Sequence, residues 1–262
     1  MTPIGVTSLM PKRSSLPGQR GLHRAYNTLF RKLFFLGLIA LFLVAPIAVS
    51  SLFAMPRVTT ATELAQSNSS CRIIYAGFVG ALETSNHKSS GVVQIRDTLR
   101  GPDYPDVCAN SFIPISWTSG RDWILNHFPA HSGMLTPTEL ETAPRIILVG
   151  HSTGGWAMLS VARELRDKNI PVELTVQIDS VGFNDSTIPR NVSTGAIFHA
   201  WDALAFMTTK HLRLEDPLHT KLIADIVVQN VSHLSITRDP RIRLLVMNAV
   251  NKLRQQSPPS RH

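Results

Sequence analysis

The stretch RIILVGHSTGGWAML, residues 145–159, decides the fold of this chain. Its four consecutive branched apolar residues, 146–149, are typical of a strand that is covered on both faces of a sheet. The following Gly-His-Ser-Thr-Gly-Gly places Ser152 between glycines, and a helical spacing of apolar residues begins directly after it. That helix carries its apolar residues on one side: Ala157, Met158, Val161, Ala162 and Leu165. The stretch therefore predicts a buried strand, a tight turn at Ser152 and an amphipathic helix.

The same alternation of strands and helices continues on both sides of this stretch. The other predicted strands lie in CRIIYAGFVG (71–80), NSFIPISW (110–117), VELTVQIDS (172–180), TGAIFHAWD (194–202) and KLIADIVVQNVSH (221–233). Pro114 argues against a central position for the second of these strands, and the fourth is a weaker strand pattern than the fifth. Helices are predicted at 91–101, within 121–142, after Ser152 and at 238–256. An α/β fold follows, with a mostly parallel central sheet and helices on both faces, spanning residues 71–254 before a polar tail at 255–262.

The formal net charge of +8 is confined to one end of the chain. Residues 1–32 contain six Lys or Arg and no Asp or Glu, which leaves 20 basic and 18 acidic residues for the rest. The predicted domain is therefore close to neutral. A nucleic-acid partner is not expected, because such proteins need a concentrated positive surface to contact phosphates.

A long apolar run follows the basic segment. Residues 33–56, LFFLGLIALFLVAPIAVSSLFAMP, contain no charged residue, and about 20 apolar residues suffice to cross a bilayer as a helix. Basic residues on the N-terminal side place that side in the cytoplasm. We expect a single-pass signal-anchor in the cytoplasmic membrane, with polar residues 57–70 linking it to an extracytoplasmic domain. A long signal peptide cut near residues 48–54, which would export the domain, is the alternative.

The two cysteines fit an exported domain. Cys71 begins one predicted strand and Cys108 precedes another, so the pair would come within disulfide distance if those strands are neighbours. Two separate buried thiols are the other interpretation. A metal site is not expected, since the two cysteines are 37 residues apart and the sequence offers no matching histidine ligands and no H-E-x-x-H motif. The sequence has no phosphate-binding loop either. No cofactor is expected.

Ser152 has the surroundings of a nucleophile. In a strained strand-to-helix turn the serine hydroxyl stands clear of the sheet, and glycines two positions away on each side avoid steric collisions. With its GHSTGG motif, the chain resembles the α/β-hydrolase family over roughly residues 70–254, in particular its lipase and thioesterase-like members. The resemblance implies hydrolysis of an ester, thioester or amide through an acyl-enzyme.

The family order of serine, acid and histidine implies the other two members of a catalytic triad. His233 directly follows the last predicted strand and is the expected base. Asp179, at the end of the strand after the nucleophile, is the first choice of acid. Asp202, at the end of the next strand, and Asp185 remain alternatives. His151 adjoins Ser152 too closely to reach its hydroxyl and is expected to be a turn or pocket-wall residue.

Backbone N–H groups are expected to stabilise the oxyanion that forms during acyl transfer. Thr153, at the start of the helix, supplies one N–H group. The family layout implies a second from Phe78 or Val79, after the first strand. The substrate is expected to be a small-molecule or lipid acyl compound, and the absence of a long insertion favours small or medium acyl groups. A catalytically inert, membrane-tethered binding module and an acyltransferase with the same triad are the alternative functions.

Overall fold

The computed structural model describes residues 71–128, 135–201, 208–209 and 211–256. Its centre is a six-stranded sheet in the order β2-β1-β3-β4-β6-β8, in which every neighbouring pair is parallel. A separate two-stranded sheet joins β5 to β7. The strand bounds in chain order are β1 Ile73–Phe78, β2 Val107–Phe112, β3 Arg145–His151, β4 Val172–Ile178, β5 Thr187–Ile188, β6 Val192–Ala200, β7 Arg213–Leu214 and β8 Lys221–Val228.

Helices cover both faces of the six-stranded sheet. Their bounds are α1 Gly91–Leu99, α2 Trp117–Leu125, α3 Pro137–Thr142, α4 Thr153–Asp167 and α5 Pro240–Gln255, with short 3-10 helices at Pro114–Ser116 and Ile236–Arg238. Apolar side chains of α1 and α5 pack on one face of the sheet. Those of α2 and α4 pack on the other. The predicted α/β architecture is therefore present in the described part of the chain.

The order of the strands determines where a site can form. β3 lies between β1 and β4 in the middle of the sheet, and six of its seven residues are buried. In a parallel sheet all carboxyl ends lie along one edge, where the loops that follow the strands converge. The loops after β1, β3, β4 and β8 therefore share the edge at which Ser152 lies.

Three strands differ from the sequence-based expectation. β2 starts before the predicted segment 110–117 and ends before Pro114, which begins a 3-10 helix instead. The expected weaker strand, β6, is a nine-residue interior strand. The expected stronger one, β8, lies at the sheet edge, with only Val228 fully buried. An apolar pattern alone does not distinguish an edge strand from an interior one, because both present apolar residues to at least one face.

Cys71 and Cys108 form a disulfide, with 5.6 Å between their Cα atoms. They are brought together because β1 and β2 pair in parallel, with Ile74 opposite Cys108. His127 lies nearby, so the expectation that no histidine accompanies the cysteines was wrong: ligand atoms of the three residues lie within 4.8 Å of one another. Metal binding needs thiolates, and the sulfurs are joined to each other here.

We expect the Cys71→Ser/Cys108→Ser variant to lose about 2–4 kcal/mol of unfolding free energy, because the bond closes a long loop in the unfolded chain. Urea denaturation of the wild-type and double-variant chains would measure the difference. Esterase activity of the folded variant should stay close to wild type, since the disulfide joins the amino-terminal ends of β1 and β2, at the sheet edge opposite Ser152. Equal midpoints for the two chains would contradict this expectation.

No helix within the described residues is long and apolar enough to span a bilayer. The predicted basic segment 1–32, the membrane segment 33–56, the linker 57–70 and most of the tail lie outside the described residues.

Candidate active site

Ser152 lies at the junction of β3 and α4, in a backbone conformation that residues other than glycine rarely adopt. Its φ is 54° and its ψ is −127°, and holding such a conformation costs free energy that the surrounding structure must offset. Two backbone hydrogen bonds join it to the end of β4 and the residues that follow: the Ser152 N–H donates to the Ile178 carbonyl at 3.0 Å, and the Val181 N–H donates to the Ser152 carbonyl at 3.0 Å. The serine is therefore held between the ends of β3 and β4.

The glycines around Ser152 allow this close approach. A Cβ atom on Gly150 would lie 2.4 Å from the carbonyl oxygen of Gly154. A Cβ atom on Gly154 would lie 2.2 Å from the carbonyl oxygen of Phe78. Both distances are too short for a side chain, so the turn requires glycine at these two positions.

The backbone around the turn positions Thr153, whose N–H is one of the expected oxyanion donors. Thr153 is the first residue of α4, and the N–H group of a first helical residue has no carbonyl partner one turn earlier in its helix. The N–H of Val79, however, donates to the Phe112 carbonyl at 3.0 Å. The carbonyl oxygens of Phe78 and Val79, rather than their N–H groups, face Gly154. The expectation for Val79 was wrong, because its N–H adds one more hydrogen bond to the pairing of β1 with β2. The Phe78 N–H stays a prediction.

His233 and Asp179 are brought together at the carboxyl edge of the sheet. Nδ1 of His233 lies 2.6 Å from Oδ2 of Asp179, although the residues are 54 positions apart. Asp179 is fully buried, and its other carboxylate oxygen accepts the Ala200 N–H at 3.1 Å. With Nδ1 bonded to the carboxylate, Nε2 is the ring nitrogen that can exchange a proton with a substrate or a nucleophile.

Asp185, one of the alternative acids, is bonded to other groups. Its carboxylate oxygens accept the hydroxyl groups of Ser180 at 2.7 Å and Thr209 at 2.5 Å. Its carbonyl oxygen accepts the side-chain amide of Gln177 at 2.7 Å. Asp185 therefore stabilises the loop that follows β4 through these hydrogen bonds, and Asp179 rather than Asp185 is bonded to His233. Asp202, the other alternative, lies outside the described residues.

His151, expected from the sequence to be a turn or pocket-wall residue, also contacts the residue expected to be the base. Its ring is buried, and its Nε2 lies 2.9 Å from the carbonyl oxygen of His233. The centroids of the two histidine rings are 4.9 Å apart. Because His151 is covalently joined to Ser152, this contact places His233 beside the turn that carries the serine.

Glu83 is a site residue that sequence reasoning missed. Its Oε2 lies 3.1 Å from Nδ1 of His151 and accepts the Gly80 N–H at 2.7 Å. Burial raises the pKa of Glu83, but the hydrogen bonds from His151 and Gly80 and the charge of His151 outweigh burial and lower it to about 2. The carboxylate is therefore ionised at neutral pH. The signal for this residue in the sequence was weak: an acidic side chain shortly after Gly80, in the loop that follows β1.

The loop between β1 and α1 is also fixed by a buried cation. Nη1 of Arg96 donates to the carbonyl oxygen of Ser85 at 2.6 Å, to Oδ1 of Asn86 at 2.8 Å and to Oγ of Ser111 at 2.7 Å. Arg96 is only 5% exposed, so these charge-assisted bonds form away from bulk solvent and are strong. The loop that carries Glu83 is therefore held at both its start and its middle.

No protein-family model matches the sequence, and no curated protein matches it either. Among solved structures, the chain is similar to a candidate alpha/beta hydrolase of unknown function from Agrobacterium tumefaciens, at 12% identity and a TM-score of 0.44. That match covers 72% of this chain and 90% of the other.

Two further solved structures are similar. The RedJ thioesterase of the prodiginine biosynthetic pathway in Streptomyces coelicolor is 12% identical, with a TM-score of 0.39, covering 68% of this chain and 86% of the other. An a/b serine hydrolase without a lid from Xanthomonas campestris is 14% identical, with a TM-score of 0.38, covering 70% and 84% of the two chains. Likeness at this level says nothing about activity, so a function must be argued from the geometry of the site.

Proposed function

We propose that the protein is a serine hydrolase of the α/β-hydrolase type, which cleaves an ester or thioester through Ser152, His233 and Asp179. The observation that carries the proposal is the 2.6 Å bond between buried Asp179 and Nδ1 of His233, next to a serine with a φ of 54°. A buried carboxylate on one imidazole nitrogen fixes the tautomer and leaves the other nitrogen to act as a base.

The proposed reaction has two halves. Oγ of Ser152 attacks the acyl carbon, and Nε2 of His233 takes the hydroxyl proton as the bond forms. The N–H of Thr153 donates to the developing oxyanion. His233 then gives its proton to the leaving alcohol or thiol, and an acyl-enzyme remains on Ser152. Water, deprotonated by His233, releases the acid and restores the serine. The proton transfer requires a hydrogen bond between Oγ of Ser152 and Nε2 of His233. Substrate binding can shorten such a bond.

Exposed apolar side chains support an apolar acyl group as the substrate. Leu82, Phe183 and Leu234 are 87%, 65% and 65% exposed. They belong to the loops that follow β1, β4 and β8, at the same sheet edge as Ser152. Burying such side chains against a hydrocarbon chain is favourable. The loops are short, which favours acyl chains of small or medium length.

A series of p-nitrophenyl esters from acetate to palmitate tests this function on the purified chain. We expect turnover with an optimum at short or medium length, and release of p-nitrophenol in a burst if deacylation is slower than acylation. An optimum at palmitate would contradict the proposed chain length. Absence of turnover on every ester of the series would favour an inert binding module. Transfer of the acyl group to an added alcohol in preference to water would identify an acyltransferase.

The membrane segment at 33–56 belongs to the same proposal. We propose that it anchors the chain in the cytoplasmic membrane and that the hydrolase domain lies on the extracytoplasmic side. The Cys71–Cys108 disulfide supports this placement, because such bonds persist in oxidising compartments. Sequencing the amino terminus of the mature protein distinguishes an uncleaved anchor from a removed signal peptide.

A further inference from the structure

Three side chains that can ligate a metal meet near the sheet edge opposite Ser152. Cys71, Cys108 and His127 offer one ligand atom each, and these atoms lie within 4.8 Å of one another. Cys71 precedes β1, Cys108 lies in β2 and His127 follows the end of α2, so three separate elements contribute. Within the described residues, no other group of three His, Cys, Asp or Glu is this compact. The proposed hydrolase reaction does not use this cysteine–histidine cluster.

The oxidation state of the two cysteines decides whether the cluster can hold a metal. In the disulfide, the sulfurs are bonded to each other. A dithiol reductant breaks this bond: two electrons and two protons pass to the protein sulfurs, and the reductant becomes a disulfide. Cys71 is partly exposed, whereas Cys108 is 4% exposed, so a reductant reaches the Cys71 sulfur first. Reduction therefore leaves two neighbouring thiols beside His127.

The ring of His127 is already oriented as a metal-binding histidine would be. Its Nδ1 lies 2.8 Å from the carbonyl oxygen of Trp123. A carbonyl oxygen can only accept, so Nδ1 carries the hydrogen and the lone pair of Nε2 remains for coordination. The Trp123 ring contacts the His127 ring edge-on, with 4.8 Å between the centroids. Histidines that bind metals through one nitrogen usually donate from the other to a carbonyl or carboxylate.

We propose that, when the disulfide is reduced, Cys71, Cys108 and His127 bind a Zn²⁺ ion. Each thiol releases its proton to solvent and coordinates as a thiolate, Nε2 of His127 is the third ligand, and a water completes the tetrahedron. Two thiolates and an imidazole select Zn²⁺ over Mg²⁺ or Ca²⁺, which prefer oxygen ligands.

The geometry of the paired strands suits this change. Zn–S bonds of tetrahedral zinc place two sulfurs about 3.8 Å apart. The Cα atoms of Cys71 and Cys108 are 5.6 Å apart. Once the disulfide is open, rotation of the two side chains can bring the sulfurs to that separation without a shift of β1 against β2.

The ion would replace the cross-link that reduction removes. The disulfide joins the start of β1 to β2, and the ion would join the same two strands and add the end of α2. A ligand that binds the folded chain and not the unfolded one stabilises the fold. This edge of the sheet would therefore be cross-linked in both oxidising and reducing surroundings.

Metal titration of the purified full chain tests the site. The chain is reduced with dithiothreitol, freed of reductant by anaerobic gel filtration and titrated with Co²⁺, whose charge-transfer absorption reports thiolate ligands. Equilibrium dialysis then counts bound Zn²⁺. We expect one ion per reduced chain and no binding above background for the oxidised chain. A reduced wild-type chain without cobalt–thiolate absorption would overturn the proposal.

Two histidine variants separate the cluster from a simple dithiol. His127→Gln should weaken Zn²⁺ binding by the reduced chain at least about tenfold, because loss of a direct ligand costs no less than loss of an outer-shell partner. His219→Gln is the control, since this exposed histidine is bonded to Asp216 in another part of the chain. It should leave the affinity unchanged. Equal affinities of His127→Gln and wild type would contradict the assignment of His127.

Thermal denaturation of the reduced chain tests the cross-linking role. We expect Zn²⁺ at about 100 times its Kd to raise the Tm by about 5–10 °C, and to leave the Tm of the oxidised chain and of Cys71→Ser/Cys108→Ser unchanged. Zinc binding without a rise in Tm would show that the unfolded chain binds the ion equally well, and would contradict this role. None of these measurements requires hydrolase activity, so they stand or fall apart from the proposed function.

Discussion

Ser152→Ala is expected to lower kcat on the best p-nitrophenyl ester by about 10⁴- to 10⁶-fold. The variant loses the atom that forms the acyl-enzyme, so only the binding and oxyanion contributions to catalysis remain. Steady-state rates would measure the residual activity, at an enzyme concentration high enough for the enzymatic rate to exceed spontaneous hydrolysis of the ester. The strained backbone should accept alanine no less well than serine, so the melting temperature should change by only a few degrees.

Ser160→Ala provides the matched control. Ser160 lies on the same helix, and its hydroxyl donates to the Trp156 carbonyl at 3.0 Å, away from the turn. Its loss should leave kcat within about twofold, because the bond is a local one within a helix. A Ser152→Ala variant that retains a tenth or more of wild-type activity would show that another group is the nucleophile.

Asp179→Asn is expected to lower kcat by about 10⁴-fold, as loss of the acid does in serine hydrolases with this arrangement. The amide NH₂ would face Nδ1 of His233 at the present 2.6 Å contact, which favours the tautomer that places the proton on Nε2. That nitrogen could then no longer accept the serine proton. Comparison of kcat and KM should show the loss in kcat.

Asp185→Asn separates catalysis from folding in the same loop. The Asp185 carboxylate accepts the Ser180 and Thr209 hydroxyls, so the substitution should lower the unfolding free energy by about 1–3 kcal/mol. Its kcat should remain within about tenfold of wild type. If Asp179→Asn were active and Asp185→Asn inactive, the assignment would be reversed. If both were active, Asp202 would become the acid.

The turn at Ser152 could be predicted because its geometry depends on a few consecutive residues. Gly150, Ser152 and Gly154 are close in sequence, and the buried strand before them and the amphipathic helix after them follow from local periodicity. The resemblance to the α/β-hydrolase family, through its order of serine, acid and histidine, ranked His233 and Asp179 first, and both lie at strand ends, which meet at one edge of a parallel sheet. The order of elements thus restricted the choice to a few residues.

The contacts of His151 could not be predicted in the same way. Glu83 lies 68 positions from His151, and His233 lies 82 positions away. No local pattern encodes a meeting across such separations, because it depends on the register of β1 against β3 and on the path of the loop after β8. The prediction that the Val79 N–H is an oxyanion donor was wrong for a related reason. That N–H donates to the Phe112 carbonyl and so adds one hydrogen bond between β1 and β2.

The strand positions in the sheet show the same limit. β8 has a stronger apolar pattern than β6, yet β8 lies at the edge and β6 in the interior. Position in the sheet depends on which strands pair, and pairing partners are distant in sequence. The apolar pattern of a strand indicates whether one of its faces is buried, but it does not indicate whether one or two other strands pair with it.

The most direct test of the central claim is covalent labelling with a fluorophosphonate probe, followed by mass spectrometry of the digested protein. We predict a single adduct on the peptide that contains Ser152, formed rapidly in the wild-type chain and at least about 100-fold more slowly in His233→Ala, because an unassisted hydroxyl is a poor nucleophile. A wild-type chain that leaves Ser152 unlabelled, or one that labels it equally fast without His233, would contradict the account.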